Sequence, residues 1–207
     1  MSTRSALRFA TVGLLALSTT ACALGDRPTL AEPAPAADTA AERVLDLLRR
    51  APDQTFIASY LVTPSSAEAP VDATVTRTAA GVLTVEIGDT VYTTSADGRT
   101  TTCDVGGNDC DDFANDARIS NLGITHLFWG PAFERRLQTD SSRRIGPSAQ
   151  QAATIAGVSA ECVEVRVQSS LDAVGIVSYC ALGDGLLARY QGADVIIEML
   201  SFSSPSG

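Results

Sequence analysis

The chain has 207 residues, 45% of them hydrophobic, with 24 acidic residues, 15 basic residues and a formal net charge of −9. Such an acidic chain repels phosphate backbones, which argues against nucleic acid as a partner. The basic residues are all arginine, and this preference, together with the high alanine content, indicates a GC-rich genome such as that of an actinobacterium.

The first 21 residues have the layout of a secretory signal peptide. Arg4 and Arg8 precede an apolar run at 9–17, and small residues follow that run. The run is much shorter than the roughly 20 apolar residues that a membrane-spanning helix needs. The sequence therefore predicts export rather than insertion across the membrane.

Cys22 follows this signal in the segment Thr19-Thr20-Ala21-Cys22. The segment resembles the lipobox of bacterial lipoproteins, although Thr19 stands where that motif prefers an aliphatic residue. The resemblance implies that Cys22 is lipidated, becomes the mature N-terminus and holds the chain at the outer face of the cell membrane through its acyl chains. Cleavage after Ala21 without lipidation, or a disulfide to Cys22, are the alternatives.

The rest of the chain divides into a tether, one domain and a short tail. Residues 22–38 are rich in proline and alanine without a hydrophobic period, which predicts a flexible tether. Residues 39–203, about 165 in number, have the size of a single domain. The last four residues, 204–207, are predicted to be a disordered tail.

The predicted domain begins with an amphipathic helix at 39–51 and continues mainly as strands. Val44, Leu47 and Leu48 form an apolar stripe at helical spacing, and Asp38 or Thr39 can cap the helix. After Pro52 the apolar period changes to two, which indicates antiparallel strands. The strands are predicted at 55–63, 71–79, 82–88, 90–97, 100–103, 153–158, 161–168, 175–182, 186–191 and 194–202, with one or two short helices at 122–138 that Gly130-Pro131 interrupts.

Four cysteines remain when Cys22 is set aside, and an even number in an exported chain indicates two disulfides. Three pairings are open, and the spacing favours Cys103 with Cys110 and Cys162 with Cys180. If Cys162 pairs with Cys180 in an antiparallel ladder, one face of the two strands is apolar and the other face is mixed and carries the disulfide. Zinc is the rival for a cysteine cluster, but the chain has no C-x-x-C pair and only one histidine.

No pattern in the sequence predicts catalysis, a cofactor or a bound metal. The single histidine, His126, is the only histidine base available, and no G-x-S-x-G elbow accompanies it. The chain also lacks a phosphate-binding glycine motif. The acidic stretch 104–117 misses the spacing of a calcium loop, so it is interpreted as a solvated loop with a disulfide.

Some strands are apolar on both faces. In 55–62 and 195–202, hydrophobic side chains occur at both odd and even positions. A curved sheet that encloses an apolar cavity beneath helices would need this pattern. A tightly filled core without a cavity is the alternative.

The order of elements resembles the LolA-like lipoprotein carriers and the mycobacterial LprG/LppX-type lipoproteins. The resemblance lies in the helix-to-strand segment 44–63 and in segment 179–202, whose turn contains Gly185, Leu186, Leu187 and Arg189. It implies a mainly β (α+β) fold, a curved antiparallel half-open barrel of roughly ten strands with an N-terminal helix and one or two short helices on its concave side. It also implies a cavity that carries acyl chains and no enzymatic activity.

Two functional hypotheses follow. The first is a membrane-anchored module that binds a lipid or glycolipid in a cavity for carriage or presentation. The second is an envelope interaction, accessory or sensor protein with a filled core, whose partner is another envelope protein. In the first hypothesis the cavity is lined by Phe56, Tyr60, Leu83, Val85, Phe128, Trp129, Phe133, Val165, Tyr179 and Ile197.

Overall fold

The computed structural model describes residues 38–50, 55–66, 69–168 and 173–204. The predicted signal peptide, Cys22, the tether up to residue 37, the hairpin loop at 169–172 and the end of the tail at 205–207 lie outside the described residues.

The described chain contains two α-helices, two 3-10 helices and eleven strands. Helix α1 is Thr39–Leu48 and helix α2 is Pro131–Ser142, and the 3-10 helices are Asp116–Leu122 and His126–Trp129. The strands are β1 Phe56–Pro64, β2 Val71–Arg77, β3 Leu83–Ile87, β4 Thr90–Thr94, β5 Thr100–Asp104, β6 Cys110–Asp111, β7 Ala149–Ile155, β8 Val158–Gln168, β9 Val174–Leu182, β10 Leu187–Gln191 and β11 Val195–Ser203.

All eleven strands form one open antiparallel sheet. Their order is β6-β5-β4-β3-β2-β1-β11-β10-β9-β8-β7, so the first and last strands of the chain pair at the centre. β6 and β7 are the two edges, which leaves the curved sheet as a half-barrel. The predicted fold class is confirmed. None of the helices in the described ranges is long and apolar enough to cross a membrane.

The concave face of this sheet is the core. Along β1, Phe56, Ala58, Tyr60 and Val62 are buried, and the residues between them are more exposed. This period-two pattern places one side of each strand against the helices. Helix α1 covers part of that face with four buried apolar residues, and Asp38 caps it because its Oδ1 accepts a hydrogen bond from the amide of Ala41 at 3.3 Å.

The two disulfides join the pairs favoured by the spacing, Cys103 with Cys110 and Cys162 with Cys180. The second bridge connects β8 and β9, whose ladder has Cys162 opposite Cys180 and Val163 opposite Tyr179. This is the register predicted from the alternation of apolar residues. The first bridge joins β5 to the edge strand β6.

Several element boundaries differ from the prediction. β7 begins at Ala149 rather than at 153, and α2 continues beyond Gln138 to Ser142. Two short elements were not predicted: β6, which lies in the acidic stretch interpreted as a loop, and the 3-10 helix Asp116–Leu122, which begins at the end of that stretch. The 122–138 region does contain two short helices separated at Gly130, as predicted.

Candidate ligand site on the concave face

Six aromatic rings occupy the space between the sheet and helix α2. The shortest of their contacts have ring centroids 5.2 Å apart, between Phe128 and Tyr190 and between Tyr179 and Tyr190. Trp129 extends the group toward β1, with its ring centroid 5.7 Å from that of Tyr60. We call the set the aromatic cluster: Tyr60, Phe128, Trp129, Phe133, Tyr179 and Tyr190.

The tyrosine hydroxyls in this core have hydrogen-bond partners inside the protein. The hydroxyl of Tyr60 donates to the carbonyl of Leu187 at 2.9 Å, and that of Tyr179 donates to the carboxylate of Asp140. Burial raises the pKa of both hydroxyls far above the usual value for tyrosine. The hydroxyls therefore stay protonated, and they fix the rings in place rather than act as bases.

The structure separates the ten residues predicted to line a cavity into two groups. Seven are buried within the packed core: Tyr60, Val85, Phe128, Phe133, Val165, Tyr179 and Ile197. The other three, Phe56, Leu83 and Trp129, border a pocket at one end of the concave face. We call this the mouth pocket.

The mouth pocket has a volume of about 330 Å³ and is partly open to solvent. That volume is at the lower end of the roughly 300–1,000 Å³ typical of small-molecule sites. Its walls come from the end of α1, three neighbouring strands, the segment before and within α2, and the β9–β10 turn. They are formed by Leu48, Arg49, Phe56, Arg77, Leu83, Trp129, Gly130, Pro131, Glu134 and Leu186.

The sheet register explains why three of these residues meet. Phe56 at the start of β1 pairs with Arg77 at the end of β2, and Arg77 pairs in turn with Leu83 at the start of β3. Directly paired side chains lie on the same face of a sheet, about 5 Å apart. Arg77 is therefore held between two apolar side chains at the rim of the pocket.

The two arginines of the pocket differ in their partners. Arg49 donates from Nε to Glu134 at 3.3 Å and from an Nη atom to Asp46 at 3.0 Å. The side chain of Arg77 has no hydrogen bond or ion pair with any residue in the described ranges. The indole nitrogen of Trp129 is buried and likewise lacks a hydrogen-bond partner within the described part of the chain.

Sequence analysis did not find most of this rim. It gave Arg49 no role, and it marked Gly130-Pro131 and Leu186 only as a break and a turn. No sequence pattern pointed to Arg77, because its position depends on pairing with Phe56 on one neighbouring strand and with Leu83 on the other. That row of three residues could have been inferred only from the hairpin registers of β1, β2 and β3.

His126 and the acidic stretch 104–117 make contacts that stabilise the loops. The Nδ1 atom of His126 lies 2.9 Å from a carboxylate oxygen of Asp116, and its ring stacks on Tyr92 at 5.0 Å. Arg118 lies 3.0 Å from carboxylate oxygens of Asp109 and Asp111. Within the described ranges, no group of three or more metal-ligating side chains comes together.

The carboxylate of Asp104, in the same stretch, accepts hydrogen bonds from two backbone amides. The amides of Asn108 and Asp109 donate to its Oδ1 at 2.7 and 3.3 Å. These hydrogen bonds keep the pKa of Asp104 below its usual value, and the hydrogen bond from Asp109 has the larger effect. The loop that the Cys103–Cys110 disulfide closes is therefore also stabilised by hydrogen bonds within the loop.

No protein-family model and no curated protein matches the chain by sequence. Solved structures that resemble it include MucB, with 11% identity and a TM-score of 0.51 over 81% of this chain and 59% of that chain. The MucA/MucB complex of Pseudomonas aeruginosa has 11% identity and a TM-score of 0.44 over 81% and 58%. LprF from Mycobacterium bovis has 15% identity and a TM-score of 0.39 over 81% and 94%.

The likeness to MucB shows the fold. The chain spans 59% of the length of that MucB structure. The predicted curved antiparallel architecture is therefore also found in a solved structure.

Proposed function

We propose that the chain is an exported envelope lipoprotein that binds a lipid or another apolar ligand in the mouth pocket, for carriage or presentation. The observation that carries this proposal is the pocket itself. It is lined mainly by apolar side chains and opens at the end of a half-barrel whose depth is already filled. Attachment to the outer face of the membrane through acyl chains on Cys22 is part of the proposal.

Burial of the ligand supplies the binding free energy. Each methylene group removed from water contributes about 0.8 kcal/mol, and part of this gain offsets the entropic costs of association. Binding of the ligand makes and breaks no covalent bonds. The proposed protein is accordingly a carrier or presenter rather than an enzyme, and it needs no cofactor or metal.

Native mass spectrometry tests the proposal. The chain with Cys22→Ala is secreted from a related host and purified without detergent. We expect a bound mass that denaturation releases and that organic solvent extracts. A chain found only at its sequence mass, less four hydrogens for two disulfides, and unable to take up added lipid, would contradict the proposal.

A second function is favoured by a specific observation. The aromatic cluster fills the depth of the half-barrel, while Ile57 on β1 and Leu200 on β11 are each 53% exposed on the opposite face. Exposed apolar side chains on adjacent strands are common at protein interfaces. An envelope accessory or sensor protein with a filled core would use this face. Its test is cross-linking in cells, in which Leu200→Asp would abolish a specific adduct.

A further inference from the structure

We propose that the mouth pocket selects a single acyl chain that ends in a carboxylate, and that Arg77 binds this carboxylate. This inference rests on the proposed function and names its ligand class. It combines three features of the pocket: a free arginine at the rim, apolar walls on both sides of it, and a volume limited by the aromatic cluster.

Arg77 is available for a ligand. It lines the pocket and is only partly exposed, and its side chain has no ion pair or hydrogen bond in the part of the chain that the structure describes. The other rim arginine, Arg49, is already engaged by Glu134 and Asp46. The chain as a whole is acidic, with a net charge of −9, but the unpaired guanidinium of Arg77 is positively charged. It therefore attracts an anion to this opening.

The chemistry of Arg77 suits a carboxylate. A guanidinium presents a planar fork of donors that can bind both oxygens of a carboxylate at once. Because Phe56 and Leu83 flank Arg77 in the strand row, water has limited access to such a pair from either side. An ion pair beside apolar walls is screened less than one on an open surface. The arginine therefore adds selectivity to the burial of the chain.

The volume limits the ligand to one chain. A water molecule takes about 30 Å³ in the liquid, and a methylene group is of similar size, so the pocket holds on the order of ten such groups. Deeper entry is blocked, because Trp129 packs against Tyr60 and Phe128 behind the pocket. A lipid with two or three long chains would leave most of its apolar surface in water.

Isothermal titration calorimetry with three probes tests the inference on the secreted Cys22→Ala chain. The probes are dodecanoate, its methyl ester and dodecyltrimethylammonium, each below its micelle concentration. We expect dodecanoate to bind about tenfold more tightly than the ester, equivalent to ~1.4 kcal/mol, and the cation to bind most weakly. The preference for dodecanoate should shrink as salt is added.

Two pairs of variants assign the effect to residues. Arg77→Gln should weaken dodecanoate about tenfold and leave the ester unchanged, while Arg43→Gln on the exposed face of α1 removes the same charge and should change neither. Leu83→Trp should fill the pocket and weaken both probes. Thr84→Trp, on the other face of the same strand, is its control. Matching melting temperatures establish that each variant is folded.

The outcomes separate the inference from the function on which it rests. If all three probes bind equally and Arg77→Gln has no effect, while Leu83→Trp abolishes binding, the carboxylate assignment is overturned and the apolar site stands. If no probe binds, both are overturned. If dodecanoate is preferred, and the preference is lost in Arg77→Gln but kept in Arg43→Gln, both are supported.

Discussion

Arg136 in helix α2 donates to the carboxylate of Asp194 at 2.6 Å, and so joins the helix to the turn between β10 and β11. The same guanidinium lies over the ring of Tyr190, 4.8 Å from its centroid. One side chain therefore fixes α2 both to the sheet and to the aromatic cluster. Because Pro131 and Glu134 in α2 form part of the pocket wall, this contact also helps to set the shape of the mouth pocket.

Replacing Arg136 by alanine should destabilise the fold by about 1–2 kcal/mol. The loss combines a partly exposed ion pair, worth up to about 1 kcal/mol, with a cation–π contact of similar size. Urea unfolding followed by circular dichroism measures it. Arg135→Ala, at the exposed neighbouring position, is the control and should cost less than about 0.5 kcal/mol. Equal effects of the two substitutions would show that the contact with Asp194 contributes nothing.

The four tyrosines of the chain predict how it responds to alkali. All four are buried, and burial raises the pKa of each, that of Tyr92 to about 12 and those of Tyr60, Tyr179 and Tyr190 further. In the unfolded chain a tyrosine ionises near pH 10. The unfolded chain therefore loses these protons first, and the stability they provide is complete below about pH 10 and falls as the pH rises above it.

We expect the tyrosinate absorbance of the native chain to remain low just above pH 10 and then to rise together with the loss of circular dichroism. The chain in guanidinium chloride, where tyrosines ionise near their ordinary pKa, is the control. Ionisation of a large fraction of the tyrosines near pH 10 with the circular dichroism unchanged would contradict the burial of these hydroxyls.

The two disulfides should contribute unequally to stability. Cys162 and Cys180 are separated by 18 residues and Cys103 and Cys110 by 7. Closing the longer loop removes more entropy from the unfolded chain, about 3 kcal/mol against about 2 kcal/mol. Double replacement by alanine at each pair, followed by urea unfolding, compares them. The Cys162 and Cys180 pair is also fully buried, so its loss adds a packing cost, and a larger effect at Cys103 and Cys110 would contradict this order.

Much of the fold was predictable because β1 and β11, the two strands at the centre of the sheet, alternate between a buried and a more exposed face. The alternation in β8 and β9, together with two cysteines, determined their register residue by residue. The start of β7 was missed, since Ala149, Gln150 and Gln151 lie at the sheet edge and are exposed. An edge strand with little to bury has no period for sequence analysis to detect.

The candidate site was predictable only in its apolar part. Phe56, Leu83 and Trp129, which border the mouth pocket, were among the ten residues predicted to line a cavity, because large apolar residues on the inner face must contact either a ligand or one another. Their role in ligand binding stays a prediction. Which of these two outcomes applies depends on how tightly the aromatic cluster packs. The sequence does not encode that packing in any short pattern. Arg77 was missed for a different reason, because its place between Phe56 and Leu83 depends on the registers of two hairpins.

The proposed lipid anchor gives the last prediction, which concerns a residue outside the described ranges. Cys22→Ala should release the chain from the membrane fraction into the soluble fraction, because a chain of net charge −9 has no electrostatic attraction to anionic lipid. The double variant Cys103→Ala/Cys110→Ala is the matched control, since it removes cysteines without touching the signal. It should stay with the membrane and should still incorporate a labelled fatty acid. If Cys22→Ala remains bound to the membrane, the lipobox interpretation is wrong and attachment must come from another part of the chain or from a partner.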